Sequence, residues 1–166
     1  MNESYKELLV KKQSGVKEKA IRVACLVPTI CIGILTLLTG NMVFFLITLI
    51  LGVAVYFVFQ QTDIEYEYLY LDKEISIDKI MAKTRRKKVL TLDVNKIEIL
   101  APEKSYQLDS YRNRQVKTAD YSAGVDLPGQ KLYVMFYEGN QKIRLNLDED
   151  FAKTIKGVLP RKVFTE

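Results

Sequence analysis

Histidine is absent from the 166 residues, which removes the commonest general base and the commonest metal ligand together. The two cysteines, Cys25 and Cys31, both fall inside one long apolar run. The polar remainder therefore has no disulfide framework, which fits a reducing compartment. No glycine-rich phosphate loop occurs, and the carboxylates show no paired metal-ligand spacing. Ser105, Ser110 and Ser122 have no histidine to activate them. The expectation is a non-catalytic protein with no metal and no cofactor. Charge is the third scarcity. Positions 23–59, 37 in a row, carry none.

One helix over that run would be about 55 Å long, against a hydrocarbon core of roughly 30 Å. Thr39-Gly40-Asn41 offers a break, because Gly and Asn tolerate turn geometry. Division there gives 20–38 and 42–60, each about the length needed to span. A helical hairpin also satisfies its backbone within each segment, as lipid requires. A cleaved signal peptide is the competing reading, since Lys17, Lys19 and Arg22 precede the first stretch. Its apolar part would exceed the roughly 7–15 residues of such peptides, and a second stretch follows at once. Two crossings fit better.

Six basic residues flank the first span (Lys6, Lys11, Lys12, Lys17, Lys19, Arg22), and the turn near Asn41 is uncharged. The positive-inside rule then puts the N-terminus in the cytoplasm, and two crossings return the rest of the chain to the same side. The predicted organisation is a basic cytoplasmic segment at 1–19, a transmembrane hairpin at 20–60 turning at 39–41, and a cytoplasmic domain at 61–166. Within 1–19, Tyr5, Leu8 and Leu9 beside lysines allow a short amphipathic helix on the membrane surface or a frayed basic tail.

Cys25, Thr29, Gly33, Thr36 and Gly40 recur at helical spacing, and Thr48 and Gly52 repeat the theme in the second span. Small-residue faces let helices approach closely in lipid. They serve either the packing of the two spans on each other, which a tight turn favours, or self-association. Pro28 removes a backbone donor and is a potential kink. No charged residue lies within 23–59, which argues against an ion or proton path.

After Gln60 the period changes. "DIEYEYLYL", "EISIDKIM", "KVLTLDV", "NKIEILAP", "VKTADYS", "KLYVMFYE" and "QKIRLNL" read as seven short strands. Gly139-Asn140 between the last two is a hairpin signal. "DEDFAKTIKGVLP" then reads as a helix with Asp148 as N-cap, Glu149 and Asp150 at its positive end, and Phe151, Ile155 and Leu159 on one face. The fold class expected is a two-helix membrane hairpin plus a mainly β barrel of about seven strands, covered at one end by a C-terminal helix.

This element order resembles the pleckstrin-homology superfold over 63–159, in the small form that follows one or two spans in bacterial membrane proteins. The whole chain resembles a group of small, uncharacterised two-span proteins of Gram-positive bacteria. "DIEYEYLYLDKEISIDKIMAK", "LDSYRNRQVKTADYSAG" and "PRKVFTE" carry that resemblance. It implies a bacterial cytoplasmic-membrane location and no assigned activity. Pleckstrin-homology domains often bind phosphoinositides through basic residues on an early hairpin, and a basic cluster here lies one hairpin later.

That cluster is Lys83, Arg85, Arg86, Lys87 and Lys88, expected in the turn between the second and third strands. Each basic residue near an anionic leaflet contributes about 1 kcal/mol. The opposing reading is internal balance: residues 61–78 hold six acids and one lysine, with Asp63, Glu65 and Glu67 available on neighbouring strands. An acidic protein partner is a third reading. Residues 61–166 carry nineteen basic and seventeen acidic residues, a net +2. So narrow a footprint, without interleaved aromatics, argues against nucleic acid. Residues 103–131 form a long loop in which Tyr111, Arg112, Arg114 and Tyr121 are candidate partner contacts or tyrosines tucked against the barrel. The function expected is a membrane-anchored adaptor whose barrel meets anionic lipid or a protein partner. The alternative is a structural subunit of a larger complex or homo-oligomer, assembled through Thr29, Gly33, Thr36, Gly40, Thr48 and Gly52.

Overall fold

The computed structural model describes residues 5–165, which form two compact units. The first takes residues 14–64 and 81–85. Its main elements are helices α1 (Val16–Thr39) and α2 (Met42–Thr62), of 24 and 21 residues. Both are long and apolar enough to cross a membrane, and neither buries a residue.

Gly40 ends α1 in the left-handed conformation, φ 59°, and its N–H donates to Thr36 O at 2.9 Å. Asn41 then caps α2, its Oδ1 accepting from Val43 N–H at 2.8 Å. Hydroxyls in both helices are satisfied locally: Thr29, Thr36, Thr39, Thr48 and Thr62 each donate to the carbonyl four residues back. Such bonds are what a helix needs wherever no water can accept from a hydroxyl.

The second unit takes residues 5–13, 65–80 and 86–165. Its strands make two four-stranded sheets. The first runs in the order β1 (Lys6–Lys11), β2 (Ile64–Leu71), β3 (Glu74–Met81), β4 (Arg85–Asp93). The second contains β5 (Ile97–Pro102), β6 (Lys117–Asp120), β7 (Gln130–Tyr137) and β8 (Gln141–Asp148), in the order β5-β7-β8-β6. Helix α3 (Glu149–Val158) follows. The β part is thus two sheets and a helix, with eight strands in place of about seven.

The additional strand is β1, and it corrects the reading of the N-terminal segment. Residues 6–11 are neither a surface helix nor a frayed tail. They pair antiparallel with β2 from Lys6↔Tyr70 to Lys11↔Glu65. The alternation is plain in retrospect: Leu8 and Val10 are buried while Glu7, Leu9 and Lys11 are exposed. A six-residue strand has no independent stability and forms only because β2 supplies its ladder.

The core holds Tyr68, Ile75, Ile77, Leu92, Leu145 and Phe151, all essentially inaccessible. α3 begins as expected, with Asp148 Oδ1 accepting from Phe151 N–H at 2.7 Å. Its Phe151 ring meets Tyr68 and Tyr70 edge-on, 6.4 Å from each. The β7–β8 turn differs by one residue from the sequence signal. Glu138 (φ 48°) and Gly139 (φ 72°) take the left-handed positions, and Asn140 follows them. Past α3, Phe164 N–H donates to Leu100 O at 2.8 Å, so the closing segment runs beside β5.

Candidate functional site: the basic β3–β4 hairpin

The basic residues divide differently from the expected turn. Only Lys83 and Thr84 lie in the connection, between Met81 and Arg85, while Arg85–Lys88 open strand β4. Ala82 and Lys83 both have positive φ, 48° and 56°. This is the geometry tight hairpins prefer to build from Asn-Gly, and a side chain there costs energy. The connection is held by Thr84 N–H to Met81 O at 3.1 Å and by Ala82 N–H to Asp63 O at 2.8 Å. Asp63 is the C-cap residue of α2. The basic turn is therefore fastened to the end of a membrane-length helix.

All five basic side chains are exposed, but one is committed to the fold. Arg86 forms an ion pair with Glu67 Oε2, and its Nε donates to Asp78 Oδ2 at 2.6 Å. Glu7 on β1 completes a row that crosses all four strands of the sheet. It accepts from the Tyr5 hydroxyl at 2.7 Å and shares a hydrogen bond with Glu67. One guanidinium thus faces three carboxylates. Burial pushes Glu67 above the usual glutamate value, and the Glu7 bond adds to this, with Arg86 opposing. Glu7 is held low, first by Tyr5 and then by Glu67. The bond to Asp78 and the charge of Glu67 hold Arg86 more firmly protonated than usual.

Internal balance therefore accounts for Arg86. Lys83, Arg85, Lys87 and Lys88 have no ion pair among the described residues. Glu65, on the neighbouring strand β2, faces Lys11 at 4.0 Å, and Asp63 has a partner of its own.

The candidate partner loop is folded onto the domain. A 3₁₀ segment, Tyr106–Tyr111, places Leu108 in a small cluster with Ile99, Ala101, Val134 and Phe136. Tyr111 lies on Phe136 with ring centroids 4.9 Å apart. Arg114 sits over the Tyr111 ring at 4.4 Å and reaches Glu98 at 2.9 Å. Arg112 pairs with Asp109 at 3.1 Å, and Tyr121 meets Tyr66 edge-on at 5.6 Å. Sequence reasoning missed what secures this loop: the fully buried Asn146. Its Oδ1 accepts from Ala123 N–H at 2.7 Å, and its Nδ2 donates to Val125 O at 2.8 Å. A lone Asn between Leu145 and Leu147 was the available signal.

Of the small-residue helix positions, Gly33 faces Thr48, whose methyl lies 3.7 Å from where a Cβ would be. The hydroxyls of Thr36 and Thr48 are 3.2 Å apart. Among the described residues Thr29 bonds only its own helix, Gly40 serves as the cap, and a Cβ on Gly52 would meet nothing within 4 Å.

Two β-sheets and a helix, joined to two membrane-length helices and carrying a hairpin with four basic side chains that have no ion pair among the described residues, define a β-domain module of the kind that binds lipid or protein. The chain belongs to the family described as "Bacterial PH-like domain (DUF6106)", whose model matches residues 2–165. No curated protein and no solved structure shows significant similarity to it. PH-like domains are generally non-catalytic binding modules.

Proposed function

We propose that this is a two-span membrane protein with both ends of its helix pair on the cytoplasmic side. Its PH-like domain docks on the anionic inner leaflet through Lys83, Arg85, Lys87 and Lys88, as a non-catalytic adaptor. The observation that carries this reading is the Ala82–Asp63 hydrogen bond. It ties the basic turn to the cap of α2, which is headgroup depth for a helix that spans. Four cations at about 1 kcal/mol each suffice to hold a domain already tethered there. The β1–β2 pairing supports the same-side arrangement, because it joins the chain before α1 to the chain after α2. The alternative, a subunit assembled through small-residue helix faces, has less to draw on, since Gly33 and Thr36 already face Thr48 of the same chain.

The test is hydrogen exchange on the full chain in vesicles. Residues 81–88 should gain protection in phosphatidylglycerol vesicles relative to phosphatidylcholine. The gain should shrink at high salt and vanish when Lys83, Arg85, Lys87 and Lys88 are all changed to Gln. Equal protection in both vesicles refutes docking. Arg86 must stay wild type, since its loss disturbs the sheet and would mimic lost binding.

A further inference from the structure

At the open end of the helix pair the structure holds a cleft of about 440 Å³, lined by Arg22, Tyr56, Phe59, Gln60, Asp63, Ala82 and Thr84. Arg22 is fixed there. Its Nε donates to Thr62 Oγ1 at 2.7 Å, and its guanidinium carbon lies 5.3 Å from the centre of the Phe59 ring. Both contacts join residues some 40 positions apart, so they brace α1 against α2 where no turn connects them. They use one edge and one face of the guanidinium. The two terminal nitrogens have no partner among the described residues, and a paired set of donors in that geometry matches two oxygens of a phosphate.

We infer that this cleft is a binding site for the phosphodiester of one membrane phospholipid, held by Arg22. The inference rests on the reading that the helices span. Three features select the ligand. Arg22 opens onto the last turns of α2, where Tyr56 and Phe59 are 61% and 41% exposed, an arrangement typical of aromatic residues at headgroup level. A ligand with its phosphate on Arg22 has an apolar helix beside it for its acyl chains, so a lipid gains burial that free phosphate does not. Arg22 is the one cation among the residues that line the cleft. One guanidinium balances the single charge of a phosphodiester and leaves the second charge of a phosphomonoester unbalanced. The site differs from the basic hairpin in kind. The hairpin attracts a surface through several mobile charges, while the cleft holds one molecule in a fixed geometry.

Native mass spectrometry of the delipidated full chain in detergent tests this, with phosphatidylglycerol, phosphatidic acid, diacylglycerol or inorganic phosphate added. Wild type should retain one phosphatidylglycerol, hold phosphatidic acid and diacylglycerol at least several-fold less well, and not lose the bound lipid to inorganic phosphate. Arg22→Gln should cut retention about tenfold, the usual scale for losing a charge-assisted hydrogen-bonded pair. Thr84→Trp, which fills the cleft and leaves Arg22 and its braces intact, should cut it similarly and decides the matter if Arg22→Gln misfolds. The hairpin variant with four Gln should still retain its lipid. Retention unchanged in Thr84→Trp, or lost in the hairpin variant, overturns the cleft assignment. Equal retention of diacylglycerol overturns the role of the phosphate. Loss of leaflet docking with the retained lipid intact would instead sink only the function proposed above.

Discussion

Asn146 and Arg86 show how single polar side chains organise this fold. Asn146 is fully buried and spends both ends of its amide on the backbone of residues 123 and 125. Asn146→Leu keeps the branched outline of the side chain but strands one N–H and one carbonyl. At roughly 1–3 kcal/mol per unsatisfied group, denaturant unfolding should show a loss of about 2 kcal/mol or more, and exchange at 121–126 should rise. For Arg86 the prediction lies in pH. An acid whose folded pKa is raised gives stability that is present below its ordinary value, 4.5 for Glu67, and lost as pH rises through the folded one. Removing Arg86 removes the group that holds Glu67 down, so the folded value rises further. Arg86→Gln should therefore cost most at pH 7, and the gap to wild type should close as pH falls through the carboxylate range. A gap constant with pH, measured by thermal unfolding, would mean that the carboxylate row is not electrostatically coupled. At the turn, Lys83→Gly relieves a side chain held at φ 56° and should raise stability by about 1 kcal/mol.

Among the elements, α2 and β1 have opposite histories. α2 is declared by its own composition, 21 residues without a charge, and its cap at Asn41 is local chemistry. β1 is six residues whose partner lies beyond two helices, and nothing within it separates a strand from one face of a short helix. The long loop falls between these cases. Its turn residues mark it as irregular, yet it is ordered through Leu108 and Tyr111, which pack on the far face of the second sheet. α3 holds the core closed through Phe151. Phe151→Ala should cost about 3–5 kcal/mol, seen as an early, less cooperative unfolding transition.

At the scale of the molecule, β1 makes the β-domain discontinuous in sequence. Residues 62–166 alone would leave one edge of β2 unpaired, an exposed edge that invites aggregation. Residues 1–13 joined by a short flexible linker to 63–166 should give a soluble, cooperatively unfolding domain. The same chain without 1–13 should aggregate or bind a dye for exposed apolar surface. Equal behaviour of the two would show that β1 is dispensable. On the proposed reading that the helices span, the β1–β2 pairing requires an even number of crossings, since the chain leaves the sheet for the helices and returns to it. Reporters fused at each end of the full chain should both read as cytoplasmic in bacteria, and opposite readings would break the proposed arrangement.

The residues by themselves determined the helix pair, the order of seven strands and the capped closing helix. These follow from composition, period and short-range caps, which act between residues a few positions apart. Tertiary structure alone decided that residues 6–11 are a strand, that Arg86 belongs to the fold while its four basic neighbours do not, and that Arg22 meets Phe59 and Thr62. Each of these depends on a partner tens of residues away. A strand's ladder and a charge's neutralising group are supplied by the fold, and no local pattern says which distant segment will bring them.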